Sequence, residues 1–146
     1  MPYMNKSITD SWSTPQTLKN KLNEEFKFDD FDPCPLNDNP EFDGLKIDWA
    51  NKTFINPPYS KLGSTLKNGL GWIEKGHIEA QKGKLVVMLV PARTDTKWFH
   101  EIVLENNYEV RFLKGRLKFG GLKGSAPFPS ILIIMKKKQR TIRIIK

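Results

Sequence analysis

Residues 84–91, Lys-Leu-Val-Val-Met-Leu-Val-Pro, contain the clearest buried strand of the sequence. The run from Leu85 to Val90 is apolar throughout, and Pro91 then stops it. A continuous apolar run without polar alternation is typical of a strand in a sheet that is covered on both faces. We therefore expect this strand to be buried in such a sheet.

Helical and extended patterns alternate around this strand, which predicts an α/β fold. The helix predicted over residues 65–80 has an apolar face, although three glycines weaken it. Its inward residues would be Leu66, Leu70, Ile73 and Ile78. Other predicted elements are helices after Thr14-Pro15 and after Asp95, and strands at residues 26–31, 52–55, 108–113 and 131–135.

The strand at residues 52–55 runs directly into Asn56-Pro57-Pro58-Tyr59. In open α/β sheets, ligands bind at such strand ends. Pro57 and Pro58 cannot donate hydrogen bonds, and Pro58 pushes Pro57 into an extended conformation. The Asn56 side-chain oxygen and the Pro57 carbonyl can therefore converge on one planar amino group, with Tyr59 supplying a stacking face.

Two such acceptors would solve one chemical problem, the weak nucleophilicity of the adenine amino group. Its lone pair is delocalised into the ring. Acceptors that hold both N–H bonds push the nitrogen toward tetrahedral geometry and leave the lone pair free to attack an electrophilic methyl group. The alternative is a proline-stiffened turn or an exposed polyproline-type ligand, because a four-residue motif needs support from its context.

Trp12 stands just ahead of a predicted helix start. Thr14 is a good N-cap and Pro15 a good first helical residue, so capping alone can explain both. An exposed indole in the position of Trp12 can also face a sulfonium while the helix end binds a carboxylate.

Two aspartates are candidates for binding a cofactor. Asp32, in Asp32-Pro33-Cys34-Pro35, is either a loop cap or an acceptor for the amino or ribose groups of a cofactor. Asp48 is either a turn residue or an acceptor for an adenine amino group at a neighbouring strand end. No Gly-x-Gly follows the strand before Asp32, so a dinucleotide site or a P-loop is not supported.

The totals predict one domain over residues 1–146, since 146 residues with 38% hydrophobic and 27% charged content are ordinary for a soluble globular protein. No apolar run approaches the roughly 20 residues that span a bilayer, and no signal-peptide pattern is present. Cys34 is the single cysteine, and His77 and His100 lack ligand spacing. We therefore expect an intracellular protein that needs neither metal nor membrane.

Charge is distributed unevenly along the chain. Residues 1–109 carry a net charge of −3, whereas residues 110–146 contain 11 Lys and Arg and no acid. This region is either a solvated tail or a folded surface for a polyanion, and its alternation with apolar residues such as Phe112, Leu117 and Phe119 favours the surface. The candidate contacts to such a polyanion are Arg93, Lys114, Arg116, Lys118 and Lys123.

Phe128 is flanked by Pro127 and Pro129 at the entry to the strand at residues 131–135. The ring either belongs to the core or is held stiffly at a strand end. The flanking prolines favour a presented ring.

Taken together, these segments resemble the small phage-type DNA adenine-N6 methyltransferases, the Dam-like family of bacteriophages and prophages. The resemblance covers about residues 10–135. The matching segments are Trp12-Ser13-Thr14-Pro15, Asp32-Pro33-Cys34, Asp48-Trp49, Asn56-Pro57-Pro58-Tyr59-Ser60, Met88 to Thr96, Trp98-Phe99-His100, Gly115-Arg116-Leu117-Lys118-Phe119 and Pro127-Phe128-Pro129-Ser130.

The resemblance implies a Rossmann-like fold that binds S-adenosylmethionine, a compact three-layer α/β/α arrangement with a mixed sheet. It implies methyl transfer to the amino group of a flipped adenine in double-stranded DNA. RNA or protein-glutamine methylation, or an inert DNA-binding protein on the same fold, are the alternatives. Departing from larger methyltransferases, residues 32–35 carry two prolines and lack a glycine-rich loop.

The resemblance also implies roles for individual residues. Those at the methionine end of the cofactor are Trp12, Thr14 and Pro15. Its first binding loop contains Asp32 and Cys34, its adenine is held by Asp48, and its ribose is held by Glu41 or Asp43. The target base is bound by Asn56, Pro57, Pro58 and Tyr59, with Phe128 as a second stacking ring.

Overall fold

The computed structural model describes residues 13–35, 41–67, 69–120 and 124–138. Trp12 and Lys123, two of the predicted site residues, lie outside the described residues. The helices and strands are α1 (Gln16–Phe26), β1 (Lys52–Ile55), a 3-10 turn (Tyr59–Lys61), α2 (Trp72–Gln81), β2 (Leu85–Pro91), a π-helical segment (Phe99–Leu104), β3 (Glu109–Phe112) and β4 (Ser130–Met135).

The four strands form one mixed sheet in the order β1-β2-β4-β3. β1 and β2 are parallel, and β4 is antiparallel to both β2 and β3. The predicted buried strand is confirmed, because Val86 to Val90 of β2 are fully buried, and β2 lies between β1 and β4. An α/β fold with a mixed sheet is therefore present.

The two described α-helices contact opposite faces of this sheet. Residues aligned across a sheet share a face, and Phe54 is aligned with Val87, which is aligned with Ile134. On this face the ring of Phe28, two residues beyond α1, lies 5.6 Å from the ring of Phe54. On the other face, a Cβ atom at Gly76 of α2 would lie 2.4 Å from Met88 Cε, so glycine permits close helix packing there.

The helix predicted over residues 65–80 begins only at Trp72, and two residues expected to face inward are exposed. Leu66 is 109% and Ile78 39% exposed. The reason lies in the glycines: Gly69 has a φ of +74°, and its backbone exchanges hydrogen bonds of 2.9 and 2.8 Å with Thr65. This closed turn replaces the first helical turns of the prediction.

The predicted strand at residues 26–31 is also wrong. Helix α1 continues through Phe26, and residues 28–31 form no strand. Asp29 nevertheless lies beside β1, since its N–H donates to the Lys52 carbonyl at 2.8 Å and its carboxylate accepts from the Lys52 N–H at 2.9 Å. This segment therefore lies along the outer side of β1 but does not form a strand of the sheet.

Strand direction brings several loops to one edge of the sheet. β1, β2 and β3 all end at this edge, and β4 begins there. The segments that follow Ile55, Pro91 and Phe112 therefore converge with the segment before Ser130. The exposed residues Lys136–Lys138 follow the other end of β4, about 17–20 Å away.

No helix among the described residues is long and apolar enough to cross a membrane.

Candidate active site

A cavity of about 450 Å³ opens between α1, the segment at residues 28–34 and the end of β1. Its lining includes four residues that were predicted from the sequence to form the site: Thr14, Asp32, Cys34 and Asn56. The remaining lining residues are Ser13, Gln16, Lys19, Asn20, Asn23, Phe28, Asp29, Asp30, Phe31 and Phe54. The lining thus combines polar groups, three aspartates among them, with three phenylalanine rings.

The contribution of α1 to this cavity was not predicted from the sequence. Gln16, Lys19, Asn20 and Asn23 recur at helical spacing and form a polar stripe beside the face that buries Leu22. This polar stripe was the available signal. Such a stripe is also common on a solvated helix, which is why it did not point to a site.

Asp32 is one of the acidic residues that line the cavity. Its carboxylate accepts a 2.8 Å hydrogen bond from the Cys34 N–H, which closes a tight turn. Burial raises the pKa of the Asp32 carboxyl, while this hydrogen bond and the charge of Lys19 act in the opposite direction. A bound cation would therefore stabilise its charged form.

Asn56 holds the position between the cavity and the interior. Its side-chain N–H donates to the Thr14 hydroxyl oxygen at 3.1 Å. Its side-chain oxygen accepts a 2.7 Å hydrogen bond from the Tyr59 hydroxyl. Both ends of the amide are thus bound to hydroxyl groups from different segments of the chain.

Tyr59 lies on the inner side of Asn56, and its ring is only 3% exposed. The ring is nearly perpendicular to that of Phe128, with centroids 5.6 Å apart, and Phe119 lies at 6.4 Å. Burial raises the pKa of the Tyr59 hydroxyl, which therefore stays protonated and can donate to Asn56. Phe128 is half-buried, whereas Phe119, which the sequence analysis did not assign to the site, is 2% exposed.

Arg93, predicted as a DNA contact, follows β2 and reaches the motif itself. Its guanidinium donates a 2.8 Å hydrogen bond to the Tyr59 carbonyl oxygen. The ends of the two parallel strands β1 and β2 are tied together in this way. Pro57 of the motif is buried, and Pro58 is half-buried.

The predicted basic loop lies at the same edge of the sheet, with Lys114, Arg116 and Lys118 exposed. Its alternation with inward residues is confirmed for the half-buried Leu117 and the buried Phe119. It is wrong for Phe112, which is 72% exposed at the end of the edge strand β3. The Gly120 N–H donates to the Ser13 carbonyl at 3.0 Å, which fixes the loop beside the start of α1.

The structure does not bring Asp48 to the cavity. It precedes β1, at the opposite edge of the sheet from Asn56, and its side chain is 83% exposed and paired with Lys82 at 2.8 Å. Pro15 occupies the N-cap position of α1. Asp43, a candidate for the ribose, lines a smaller cavity of about 180 Å³ that shares Cys34 with the first.

Comparison of the chain with known proteins identifies its family. No curated protein matches the chain, and no solved structure does. A family model does match: it is described as DNA N-6-adenine-methyltransferase (Dam), and the match extends over residues 3–146. The chain therefore belongs to the Dam family of DNA adenine-N6 methyltransferases.

Proposed function

We propose that this chain transfers a methyl group from S-adenosylmethionine to the exocyclic amino group of an adenine in double-stranded DNA. The observation that carries the proposal is the placement of Asn56. Its amide lines the polar cavity and bonds on its inner side to Tyr59, within a cluster of aromatic rings. Donor and base can therefore approach the same side chain from two directions.

The cavity fits the cofactor in size and in chemistry. Its volume of about 450 Å³ lies within the usual range for small-molecule sites. Lys19 and the N-terminus of α1 suit a carboxylate, and Asp30 and Asp32 suit an ammonium group or ribose hydroxyls. Trp12 belongs to the proposed methionine end, whereas Asp48 is left out because it lies at the other edge of the sheet.

When bound, S-adenosylmethionine supplies an electrophilic methyl group on a sulfonium. The Asn56 oxygen and the Pro57 carbonyl would accept from the two N–H bonds of the target amino group and free its lone pair. Transfer would form the new N–C bond as the S–C bond of the donor breaks, and the amino nitrogen would then lose one proton to water. Catalysis rests on positioning and on these acceptors, without a covalent intermediate on Cys34.

The target base must leave the duplex, which costs a few kcal/mol, of order 2–4. Phe128 is the ring best placed to offset this cost by stacking, because it is half-buried and borders Tyr59. Tyr59 can stack on the base only if its ring leaves the contacts that bury it. Lys114, Arg116 and Lys118 would hold the phosphates next to the flipped nucleotide.

The placement of α1 and α2 on opposite faces of a mixed sheet supports a Rossmann-like, three-layer fold. The carboxyl ends of β1 and β2 carry Asn56 and Arg93, as expected for ligand binding at strand ends.

Methyl transfer from isotopically labelled S-adenosylmethionine tests the proposal. The purified protein is offered duplex DNA, the same sequence as RNA, and a glutamine-containing protein substrate in parallel. Label in N6-methyladenine of the DNA supports it. Label in RNA or protein alone would favour the corresponding alternative, and DNA binding without any transfer would identify an inert relative.

A further inference from the structure

We infer that Thr14 is a positioning residue for the methyl transfer, because its hydroxyl orients the Asn56 amide with the acceptor end turned toward the target base. This inference rests on the proposed function. It assigns Thr14 a task beyond lining the cofactor cavity, and it concerns a residue 42 positions from Asn56 in sequence.

The Thr14 hydroxyl is not used where its sequence position suggests. Thr14-Pro15 predicts an N-cap, yet the N-cap position of α1 is Pro15, and no side chain of the described residues makes a cap hydrogen bond there. The hydroxyl oxygen instead accepts from the side-chain N–H of Asn56. The Thr14 hydroxyl thus bonds to Asn56 instead of capping helix α1.

The contacts give the amide a direction. Thr14 and Asn56 both line the cavity, so the nitrogen end of the amide lies on the cofactor side. The oxygen end faces Tyr59 and its neighbouring rings. A carbonyl oxygen has two lone pairs, so it can accept from the Tyr59 hydroxyl and from an adenine N–H together.

The orientation of the Asn56 amide matters because its nitrogen end donates hydrogen bonds, whereas its oxygen end accepts them. A rotation of 180° would present N–H groups to the amino group of the base, which is a donor itself.

Thr14 is itself held firmly from two sides. Helix α1 starts two residues after it, and the neighbouring Ser13 carbonyl accepts from the Gly120 N–H at 3.0 Å. Half-buried Thr14 therefore cannot follow Asn56 if the amide turns.

The test compares Thr14→Val, which removes the hydroxyl at nearly constant shape, with Thr14→Ser, which keeps it. We expect Thr14→Val to lower kcat about 10- to 100-fold, as for other small misplacements of reacting groups. The Kd for S-adenosylmethionine and the Kd for DNA, both from calorimetry, should change less than about 3-fold, and Tm should hold. Thr14→Ser should restore kcat to within about 3-fold of the wild type.

Either of two results would overturn the inference. One is a Thr14→Val protein with wild-type kcat; the other is a variant that loses cofactor affinity while kcat at saturation is kept. If Thr14→Val does not fold, Thr14→Ala is compared with Thr14→Ser in the same way. A wild-type protein that methylates no DNA would instead refute the proposed function, so the two failures are distinguishable.

Discussion

The guanidinium of Arg93 donates a 2.8 Å hydrogen bond to the carbonyl oxygen of Tyr59. The bond joins the segment after β2 to the motif after β1, so a cation at a strand end supports the backbone of the site. This contact makes Arg93 a positioning residue as well as a candidate DNA contact.

Replacing Arg93 with Gln should lower kcat about 10-fold, because the Tyr59 carbonyl loses a charge-assisted hydrogen bond and the motif loop loosens. DNA affinity should fall by less than the factor lost in kcat. Steady-state kinetics and DNA titration together measure both effects. Lys97→Gln, which changes an exposed lysine four residues after Arg93, is the control for loss of one positive charge. A variant that loses DNA affinity and keeps kcat would show that Arg93 serves only the DNA.

Two sets of lysine and arginine residues in the C-terminal region lie at opposite ends of β4, and they should contribute unequally to DNA binding. Neutralising Lys114, Arg116 and Lys118 together should reduce the slope of log K against log salt by about 2–3, since each phosphate contact contributes about one. Neutralising Lys136, Lys137 and Lys138 should reduce it by less than about one.

Fluorescence anisotropy over a range of salt concentrations measures both slopes. The two triple variants remove the same charge, so each controls for the other. Equal slopes for the two variants would mean that the far end of β4 also contacts the DNA.

Glu79 should make stability depend on acid pH. Its side chain is fully buried; burial opposes its ionisation, but hydrogen bonds from Lys82, Lys84, the Trp49 N–H and Lys75 lower its pKa to about 2. A carboxyl group with a lowered folded pKa contributes stability above its unfolded pKa of about 4.3 and loses it as pH falls toward 2. Urea unfolding between pH 7 and pH 2.5 should therefore show a declining free energy of unfolding.

Glu79→Gln should flatten this decline and cost about 3 kcal/mol at pH 7, because buried lysine contacts lose their counter-charge. Glu24→Gln, on the exposed side of α1, is the matched control. The same pH profile in wild type and Glu79→Gln would remove Glu79 from the explanation.

Much of the fold was predictable because its signals are local. The apolar run at residues 85–90 predicts β2, and the short strand before Asn56 is confirmed at residues 52–55. The helix predicted from residue 65 is wrong at its start because Gly69 favours a closed turn over a helix. The spacing of apolar residues, which predicted the helix, does not include this backbone preference of glycine. The exposure of Phe112 depends on β3 lying at the sheet edge, which only the strand order reveals.

Part of the cavity lining was predicted from the sequence, but the contacts between its residues were not. Sequence order indicated Thr14, Asp32, Cys34 and Asn56, and the structure gathers them in one cavity. The bond between Thr14 and Asn56 joins residues far apart in the chain, so no local pattern contains it. The buried Glu79 was also not predicted. Its three lysine partners lie within five residues of it, but its carboxylate also accepts from the N–H of Trp49, 30 residues away, and no local pattern contains that contact.

The role of Asn56 as the acceptor is tested most directly by single-turnover methyl transfer in Asn56→Ala. Asn51→Ala, an exposed asparagine just ahead of β1, is the control. We expect transfer to DNA adenine to fall at least about 1,000-fold in Asn56→Ala, with the Kd for S-adenosylmethionine within about 3-fold of wild type. Transfer at the rate of the wild type and of Asn51→Ala would contradict the proposal.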